Sequence, residues 1–424
     1  MRNALRLVLA LMAAAAIASA LGGCGREGSY ARDGFELQFS ADTLSFDTLF
    51  TAQGSATRQL RVYNRSGRDV ELTSVTLRAG RGSRFRLNVD GDTSMVARHV
   101  EIMDGDSIFI FVQVCIDPDD RTQPFLVEDA VVFGNGQSVP LTAWGRNAVY
   151  HRAESPYSVV DCEHWDHSRP HVILGTAAIL DGHTLTLGPG DELYFGPDAM
   201  LAVDSNASLV ARGTAGQPVL FSSLRSDGWY SFLPGQWQCI WFTSDSRGNV
   251  IDHAVLRNGT GGVRLYPRAE ATVSNTVIAG MSDCALIGQG GELRADNLLV
   301  YDCFATFTAL RGGNYSFNRC TMANYWNYSS RTVPSLLLYN HMPQAQEAQD
   351  LEAVFRDCIV WGSRHDGEVL FSDDGVHRFD CRFEGCVVKG MDDAEDPLFV
   401  DPQGDDYHLD EDSPATGKGY DFGE

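Results

Sequence analysis

Lysine is almost absent from this chain: of its 33 basic residues only Lys389 and Lys418 are lysines, against 56 aspartates and glutamates. The formal net charge is −23, whereas nucleic-acid binding requires a basic surface. Stretches with helical periodicity are rare, and beyond the N-terminus no apolar run is long enough to span a bilayer. The sequence therefore predicts a β protein that does not bind nucleic acid and offers few candidates for a lysine base.

The N-terminal stretch MRNALRLVLALMAAAAIASALGGC has the layout of a secretory signal, with two arginines, an apolar run and then small residues. Its end, Leu-Gly-Gly-Cys at Cys24, resembles the lipobox of bacterial lipoproteins. The resemblance implies a signal peptide over 1–23, lipidation of Cys24 and a lipidated tether over 24–34. Gly25, where aspartate would signal retention, implies the outer membrane, with the chain facing the periplasm or the cell surface. An ordinary signal peptide beside an unrelated cysteine is the alternative.

Residues 35–148 alternate between apolar and polar positions in short runs such as RQLRVYNRSG and SIFIFVQVCI. This period of two predicts a sandwich of packed antiparallel sheets. Val62 to Asn64 with Gly67, Gly105 to Ser107, and Trp144 with Gly145 resemble motifs of immunoglobulin-like domains of the abnormal-spindle type. The resemblance implies a spacer or adhesive unit without catalytic residues.

A step of 22 residues recurs through the remaining segment, 149–424. The series, which resumes after an insertion, is Val255, Val277, Leu299, Thr321, Ile359 and Val387. A second series with the same step is Trp241, Val263, Ala285 and Phe307. Short strand-forming runs repeated at this period predict a solenoid of β-strands in which each coil packs on its neighbours.

Two further stretches carry a family resemblance. LVARGTAGQPVLFSS (Leu209 to Ser223) resembles an early coil of right-handed parallel β-helix proteins, and DPLFVDP (Asp396 to Pro402), with YHL and SPA after it, resembles their last coil. The resemblance implies an all-β chain with an immunoglobulin-like sandwich followed by a right-handed parallel β-helix over 149–424, with coils of ~22 residues and a C-terminal cap. The same layout is similar to two-domain surface lipoproteins of Gram-negative bacteria.

Three cysteines, Cys320, Cys358 and Cys386, recur in the frame Phe-x-x-Cys. Side chains alternate along a strand, so these cysteines lie in one inward column with apolar residues. Their spacing also differs from that of common zinc sites. We interpret them as core packing.

The 22-residue series that begins at Val255 then points outward as an apolar stripe, which requires a cover. The insertion over 336–352, the first domain or a partner protein are the candidates. The last of these makes the chain an interaction scaffold.

Two aromatic loops, 222–237 and 323–334, leave the same edge of the solenoid about four coils, or ~19 Å, apart. Exposed rings beside polar groups suit a glycan, and glycan binding is common in the resembled family. The alternative is that the rings close their own loops against the solenoid. The candidate residues are Trp229, Tyr230 and Trp237 in the first loop, Tyr325, Trp326 and Tyr328 in the second, and Arg257, Asn258 and Tyr301 between them.

Catalytic candidates are Asp283 and Asp302, which adjacent turns can bring together as a carboxylate pair near Arg257. The stretch from Asp373 to His377 has residue types suited to acid–base chemistry. In both places solvated turn residues are the alternative. Catalysis in the groove between the loops would make the chain a polysaccharide lyase or a glycoside hydrolase.

Two segments have metal-ligating residue types. One, at the start of the solenoid, offers zinc ligands, and the other, near the C-terminus, suits calcium. The zinc candidates are Cys162, His164, Asp166, His167 and His171, and the calcium candidates are Asp401, Asp405 and Asp406. Segments without bound metal are the alternative, and the composition implies no other cofactor.

Together these observations favour a lipoprotein anchored to the outer membrane that binds glycan, or another envelope component, without catalysis. A lyase or hydrolase and an interaction scaffold are the alternatives.

Overall fold

The computed structural model describes residues 30–154, 156–225, 228–342, 345, 347–391 and 393–423. The predicted signal peptide and lipidation site Cys24 lie outside these residues. The chain forms two compact units: the first comprises the described residues up to Pro118 with Pro124–Gly145, and the second comprises Asp119–Gln123 with the residues from Arg146 onward. None of the described helices has the length and hydropathy that crossing a bilayer requires.

The first unit is a sandwich of two β-sheets. Its strands are β1 (Leu37–Phe39), β2 (Leu44–Phe50), β3 (Arg58–Asn64), β4 (Val70–Leu77), β5 (Phe85–Val89), β6 (Val96–Ile102), β7 (Ser107–Val114), β8 (Phe125–Phe133) and β9 (Ser138–Arg146), with a short 3₁₀ helix at Gly80–Gly82. One sheet has the antiparallel order β1-β3-β7-β5 and the other the order β2-β9-β8-β4-β6. Inward residues of both sheets form a single apolar core, as the period of two predicted.

The second unit is built from short strands. The first of them are β10 (Val149–Arg152), β11 (Ser158–Val159), β12 (His171–Leu174), β13 (Thr176–Ile179), β14 (Thr184–Leu187), β15 (Glu192–Phe195), β16 (Met200–Val203), β17 (Ser208–Arg212), β18 (Val219–Ser223), β19 (Ile240–Phe242), β20 (Asn249–Asp252), β21 (Ala254–Arg257), β22 (Gly261–Leu265), β23 (Glu270–Ala279) and β24 (Cys284–Gly288). A 3₁₀ helix, Gly228–Phe232, lies between β18 and β19.

The later strands are β25 (Glu292–Tyr301), β26 (Ala305–Ala309), β27 (Gly313–Asn318), β28 (Thr321–Asn324), β29 (Leu336–Tyr339), β30 (His341–Met342), β31 (Glu347–Ala348), β32 (Leu351–Arg356), β33 (Ile359–Gly362), β34 (Val369–Ser372), β35 (Phe379–Glu384), β36 (Val387–Val388), β37 (Phe399–Asp401) and β38 (Asp406–Leu409). The chain is thus all-β, as predicted.

Parallel pairing stacks these strands into three faces of a parallel β-helix. Face I contains β14, β17, β20, the N-terminal halves of β23 and β25, then β27, β32 and β35. Face II contains β10, β12, β15, β18, β21, the C-terminal halves of β23 and β25, then β28, β33 and β36. Face III contains β11, β13, β16, β19, β22, β24, β26, β29 and β34.

Left-handed backbone conformations turn the chain at the corners between the faces, and they repeat with the 22-residue step. Asn275 and Asn297 have φ of 46° and 53° between faces I and II. Asn258, Gly280 and Asp302 occupy the next corner, with φ of 65°, 64° and 47°. Asparagine, aspartate and glycine tolerate this conformation better than other residues. The Asn and Gly of the repeat therefore mark its bends.

The predicted register is confirmed on face II. Val255 pairs with Val277, Leu299 follows, and the series continues through Thr321 and Ile359 despite the insertion. The inward column beside it holds Cys320 and Cys358, both fully buried, and the half-buried Cys386. All nine cysteines of the described residues are free thiols. These three cysteines are core residues, as predicted.

The predicted register of the second series is wrong by one residue. On face III Val263 pairs with Ile240 and with Leu286, so that Trp241 faces outward beside Arg264. The corner between faces II and III varies by one residue from coil to coil. A slip of one residue reverses the direction of every side chain on the strand. Because these strands have apolar residues on both sides, the sequence does not show which residue points inward.

The apolar stripe on face II points outward, as predicted, but its cover is none of the three candidates. The C-terminal segment, residues 394–423, lies along it: Tyr407 packs on Leu299, and Ala415 packs on Ile359. Tyr407 and Ala415 are 1% and 0% exposed. The expected last coil is also wrong, since β37 and β38 form an antiparallel pair on the outside of the solenoid. The alternating apolar residues of this segment bury one side against the stripe.

Candidate functional site

The two aromatic loops meet. The Tyr328 hydroxyl of the second loop donates a hydrogen bond of 2.8 Å to the Phe232 carbonyl of the first. The rings of Trp229, Phe232, Tyr328 and Tyr230 are 71%, 69%, 41% and 36% exposed. We call these four residues the aromatic platform. It replaces the predicted separation of about 19 Å, because the first loop runs along the solenoid instead of standing off it.

The first loop is held by side-chain amides. The side-chain amide of Asn258, at the left-handed corner, donates a hydrogen bond of 2.7 Å to the Ser231 carbonyl. The side-chain amide of Gln236 donates two hydrogen bonds, one of 2.6 Å to the Tyr230 carbonyl and one of 2.9 Å to the Leu233 carbonyl. Asn258 is buried, so it supports the platform from below and is not a ligand contact. The loop backbone is hydrogen-bonded to the coil beneath it, as is expected of a preformed binding surface.

Two predicted ligand residues are core residues instead. Trp237 is 1% exposed, stacks on Phe195 with ring centroids 4.3 Å apart, and donates its indole N–H to the Arg257 carbonyl at 2.9 Å. Trp326 is 8% exposed and donates to the Ser329 hydroxyl at 2.9 Å. For these two rings the alternative, closure of the loops against the solenoid, is the correct one.

An ion pair sealed from solvent fixes the second loop. The guanidinium of Arg331 contacts both carboxylate oxygens of Glu368, at 2.7 and 2.6 Å. Their side chains are 3% and 0% exposed. Glu368 also accepts from the Ser335 backbone N–H and hydroxyl, at 2.9 and 2.8 Å. The loop that presents Tyr328 is therefore tied to face III by a buried pair joined through two hydrogen bonds.

Asp302 lies immediately after β25, at a left-handed corner of the coil. Its carboxylate accepts a hydrogen bond from the Tyr407 hydroxyl, 3.4 Å away, and one from the Tyr325 backbone N–H. Burial, and then the negative charge of Asp405, raise the pKa of Asp302 to about 6. Both raise it because a carboxylate is destabilised in an apolar setting and beside a like charge.

The C-terminal segment completes this site. It contributes Asp405, whose pKa burial raises, and Tyr407, whose ring lies 4.9 Å from that of Tyr301. Burial also raises the pKa of Tyr301 to about 12, and the charge of Arg257 opposes that rise. The charges of Arg257 and Asp302 both act on Tyr301, so these three predicted residues lie near one another. Burial raises the pKa of Tyr328, and the charges of Asp302 and Asp405 add to the rise, so the site adjoins the platform.

The predicted pair of Asp283 and Asp302 does not form. Asp283 instead bonds to Arg264 at 3.0 Å, on face III, with a side chain 53% exposed. The charge that acts on Asp302 is that of Asp405, 103 positions along the chain. Asp283 precedes β24 and Asp302 follows β25, so the two lie at different points of the coil.

The predicted zinc ligands point to different partners. His164 bonds to Asp161, and His167 bonds to Asp191 at 2.8 Å. His171 lies in a ring stack, with its ring centroid 3.5 Å from that of Trp165, and it bonds to the Asp166 backbone oxygen. Burial lowers the pKa of His171 to about 4, although the bond to Asp166 opposes that shift. Within the described ranges no three histidine, cysteine or acidic residues are grouped to hold a metal ion. The structure therefore does not bring the predicted zinc ligands together into one cluster.

The remaining acidic candidates close turns. Asp374 bonds to His377 at 2.7 Å, and that contact is the main cause of its lowered pKa. Asp406 bonds to His408 at 2.6 Å, and Asp401 accepts from the Gly404 backbone N–H. Each of these three carboxylates bonds to a residue two or three positions along the chain.

Phe232, Tyr407 and the role of Asp405 were not predicted from the sequence. Phe232 follows Trp229 and Tyr230 in the same loop, so the aromatic-rich composition of that loop could have identified it. Tyr407 and Asp405 had no such signal, because the segment that carries them was assigned to the last coil.

Known proteins resemble this chain only remotely. No protein-family description matches it, and no curated protein does. Solved structures match at 12% and 11% identity, each with a TM-score of 0.24. Both are the catalytic domain of a GH87 alpha-1,3-glucanase in complex with nigerose, in two single-residue variants. The first match covers 86% of this chain and 74% of the other, the second 78% and 73%.

Proposed function

We propose that this chain binds a glycan across the aromatic platform, with the sugar chain extending toward Asp302. The observation that carries the proposal is the bond between the Tyr328 hydroxyl and the Phe232 carbonyl, which turns two loops into one exposed surface. Apolar sugar faces stack on aromatic rings, and sugar hydroxyls bond to carboxylates and tyrosine hydroxyls. Both kinds of group occur here, and the charges of Asp302 and Asp405 act on the Tyr328 hydroxyl.

The test is a glycan-array screen of the soluble chain from residue 30, compared with Phe232→Ala and Tyr328→Ala. Loss of an exposed anchoring ring at a binding surface costs about 1–2 kcal/mol, so we expect roughly five- to thirtyfold weaker binding from each. Trp144→Ala is the matched control, because Trp144 is 47% exposed but lies in the sandwich. Equal retention of a glycan by all three variants would place binding elsewhere.

Glycoside hydrolysis is the second candidate, and the raised pKa of Asp302 beside Asp405 favours it. A carboxyl group with a pKa near 6 holds a proton that it can donate to the leaving glycosidic oxygen. A second carboxylate then activates water or attacks the anomeric carbon. Any glycan retained by the array is therefore incubated with the chain and assayed for new reducing ends. Release by wild type but not by Asp302→Asn, with binding kept, would establish catalysis.

We further propose that Cys24 carries a lipid that anchors the chain to the outer membrane, where the glycan ligand is an envelope or extracellular polysaccharide. The support is the lipobox-like Leu-Gly-Gly-Cys. Two or more acyl chains suffice for stable anchoring, since each buried methylene contributes about 0.8 kcal/mol.

Expression with radiolabelled palmitate should label the wild-type chain in the membrane fraction, and Cys24→Ala should abolish both the label and the fractionation. Cys115→Ala, which removes an exposed cysteine of the sandwich, is the matched control and should keep both. Label that survives Cys24→Ala contradicts the anchor.

A further inference from the structure

The sandwich has an open groove along one edge, at β5. This strand ends its sheet, and among the strands of the described residues it pairs with β7 alone. The Cys115 N–H bonds to the Arg84 carbonyl, and the Asp90 N–H bonds to the Phe109 carbonyl. Because bonding alternates along an antiparallel pair, the backbone of Leu87 faces away from β7. Leu87 therefore presents its N–H and C=O to the open edge.

Both ends of this edge are already closed. The Phe85 N–H bonds to the Ser83 hydroxyl at 3.0 Å, and the Val89 N–H bonds to the Asp92 carbonyl at 2.8 Å. The backbone donors that flank Leu87 are thus satisfied within the chain. A window about three residues long remains, and one residue of an extended peptide can exchange two hydrogen bonds with Leu87.

Apolar side chains lie around the window. Leu77 and Leu87 are half-buried at the margin of the sandwich core, whereas Met95 and Phe111 are 53% and 39% exposed. These four residues line one groove. Apolar groups concentrated at an unpaired strand edge are a common feature of sites that accept an added strand.

The groove also has a charge unlike that of the protein. Arg81 and Arg86 line it, neither forms an ion pair within the described ranges, and its described lining includes no aspartate or glutamate. Against a net charge of −23, two unpaired arginines and no carboxylate are complementary to an acidic ligand.

We propose that the β5 groove binds an extended peptide segment with an apolar centre and acidic flanks. The central residue pairs with the Leu87 backbone, and its neighbours cover Leu77 and Met95. Carboxylates on either side bond to Arg81 and Arg86. The glycan platform belongs to the other unit, so this site would let the chain connect a glycan with a protein.

The test is fluorescence anisotropy with the labelled peptide Glu-Val-Leu-Val-Glu. We expect saturable binding that weakens about tenfold or more for Lys-Val-Leu-Val-Lys and for the same acidic peptide N-methylated at its central leucine. The first change reverses the charge, and the second removes the donor to Leu87. No saturable binding up to about 1 mM, or equal binding of all three peptides, overturns the proposal.

The variant Arg81→Glu/Arg86→Glu should lose the acidic peptide and gain the lysine peptide, whereas Arg61→Glu, an exposed arginine on β3, should leave both affinities unchanged. Circular dichroism confirms that each variant is folded. If the double variant binds the acidic peptide as wild type does, the arginines do not recognise it and the proposal fails.

Discussion

Replacement of Asp302 by asparagine should make the protein more stable at neutral pH, by roughly 2–3 kcal/mol in the free energy of unfolding. The folded-state pKa of about 6 lies above the ordinary aspartate value of 3.8, so the fold favours the protonated, neutral carboxyl. At neutral pH the folded protein must hold this carboxylate ionised in a half-buried site, which costs stability. Asparagine has no charge, keeps an oxygen for the Tyr407 and Tyr325 bonds, and tolerates the left-handed backbone.

The pH dependence gives this prediction its sign. Between about pH 3.8 and pH 6 the folded state binds more protons than the unfolded state, so the contribution of Asp302 to stability falls as pH rises. The difference between wild type and Asp302→Asn should therefore be small near pH 4 and reach its full size above about pH 6. Urea unfolding of both proteins across this range is the measurement.

Asp296→Asn is the matched control, because this exposed aspartate lies on the same strand, β25. It should change stability by less than about 0.5 kcal/mol at any pH in the range. If Asp302→Asn is destabilising at neutral pH, the carboxylate is stabilised by its surroundings and the raised pKa is wrong. Stabilisation together with loss of glycan binding or hydrolysis would identify a residue whose role is functional.

The repeat made the solenoid predictable, and face II was predictable to the residue. Asn and Gly at the corners and a 22-residue step that resumes after one insertion determine which side chains point inward, so the positions of Cys320 and Cys358 followed from alternation alone. Face III was not predictable in the same way. Ala285 and Leu286 are adjacent and both buried, so their hydrophobicity does not reveal which of them lies in register.

The site was predictable only in its local part. Tyr328 and Trp229 were found because aromatic residues cluster in loops that the repeat had located. Asp302 was found as a turn carboxylate, but its partner comes from the C-terminal segment, and nothing local links the two positions. The contact depends on how that segment packs along the face II stripe, which the sequence indicated only as an apolar surface in need of a cover.

Removal of Arg331 should have the largest destabilising effect. Arg331→Ala leaves Glu368 ionised in a site with no solvent contact, and such uncompensated charges cost about 3–5 kcal/mol. The substitution also removes a hydrogen bond to the Asn324 carbonyl at the start of the second loop. We therefore expect a lower free energy of unfolding, together with faster proteolysis of residues 323–334 and weaker glycan binding through Tyr328.

A double variant separates the effect of the unpaired Glu368 charge from the loss of the hydrogen bonds that hold the second loop. Arg331→Met/Glu368→Gln removes both charges, and the glutamine keeps an oxygen for the Ser335 bonds, so most of the stability should return. Glycan binding should recover less, because methionine cannot bond to the loop carbonyls that Arg331 holds. The exposed pair of Arg356 and Glu384 is the control, and Arg356→Ala should cost less than about 1 kcal/mol. A double variant as unstable as Arg331→Ala would show that lost packing, and not a stranded carboxylate, accounts for the effect.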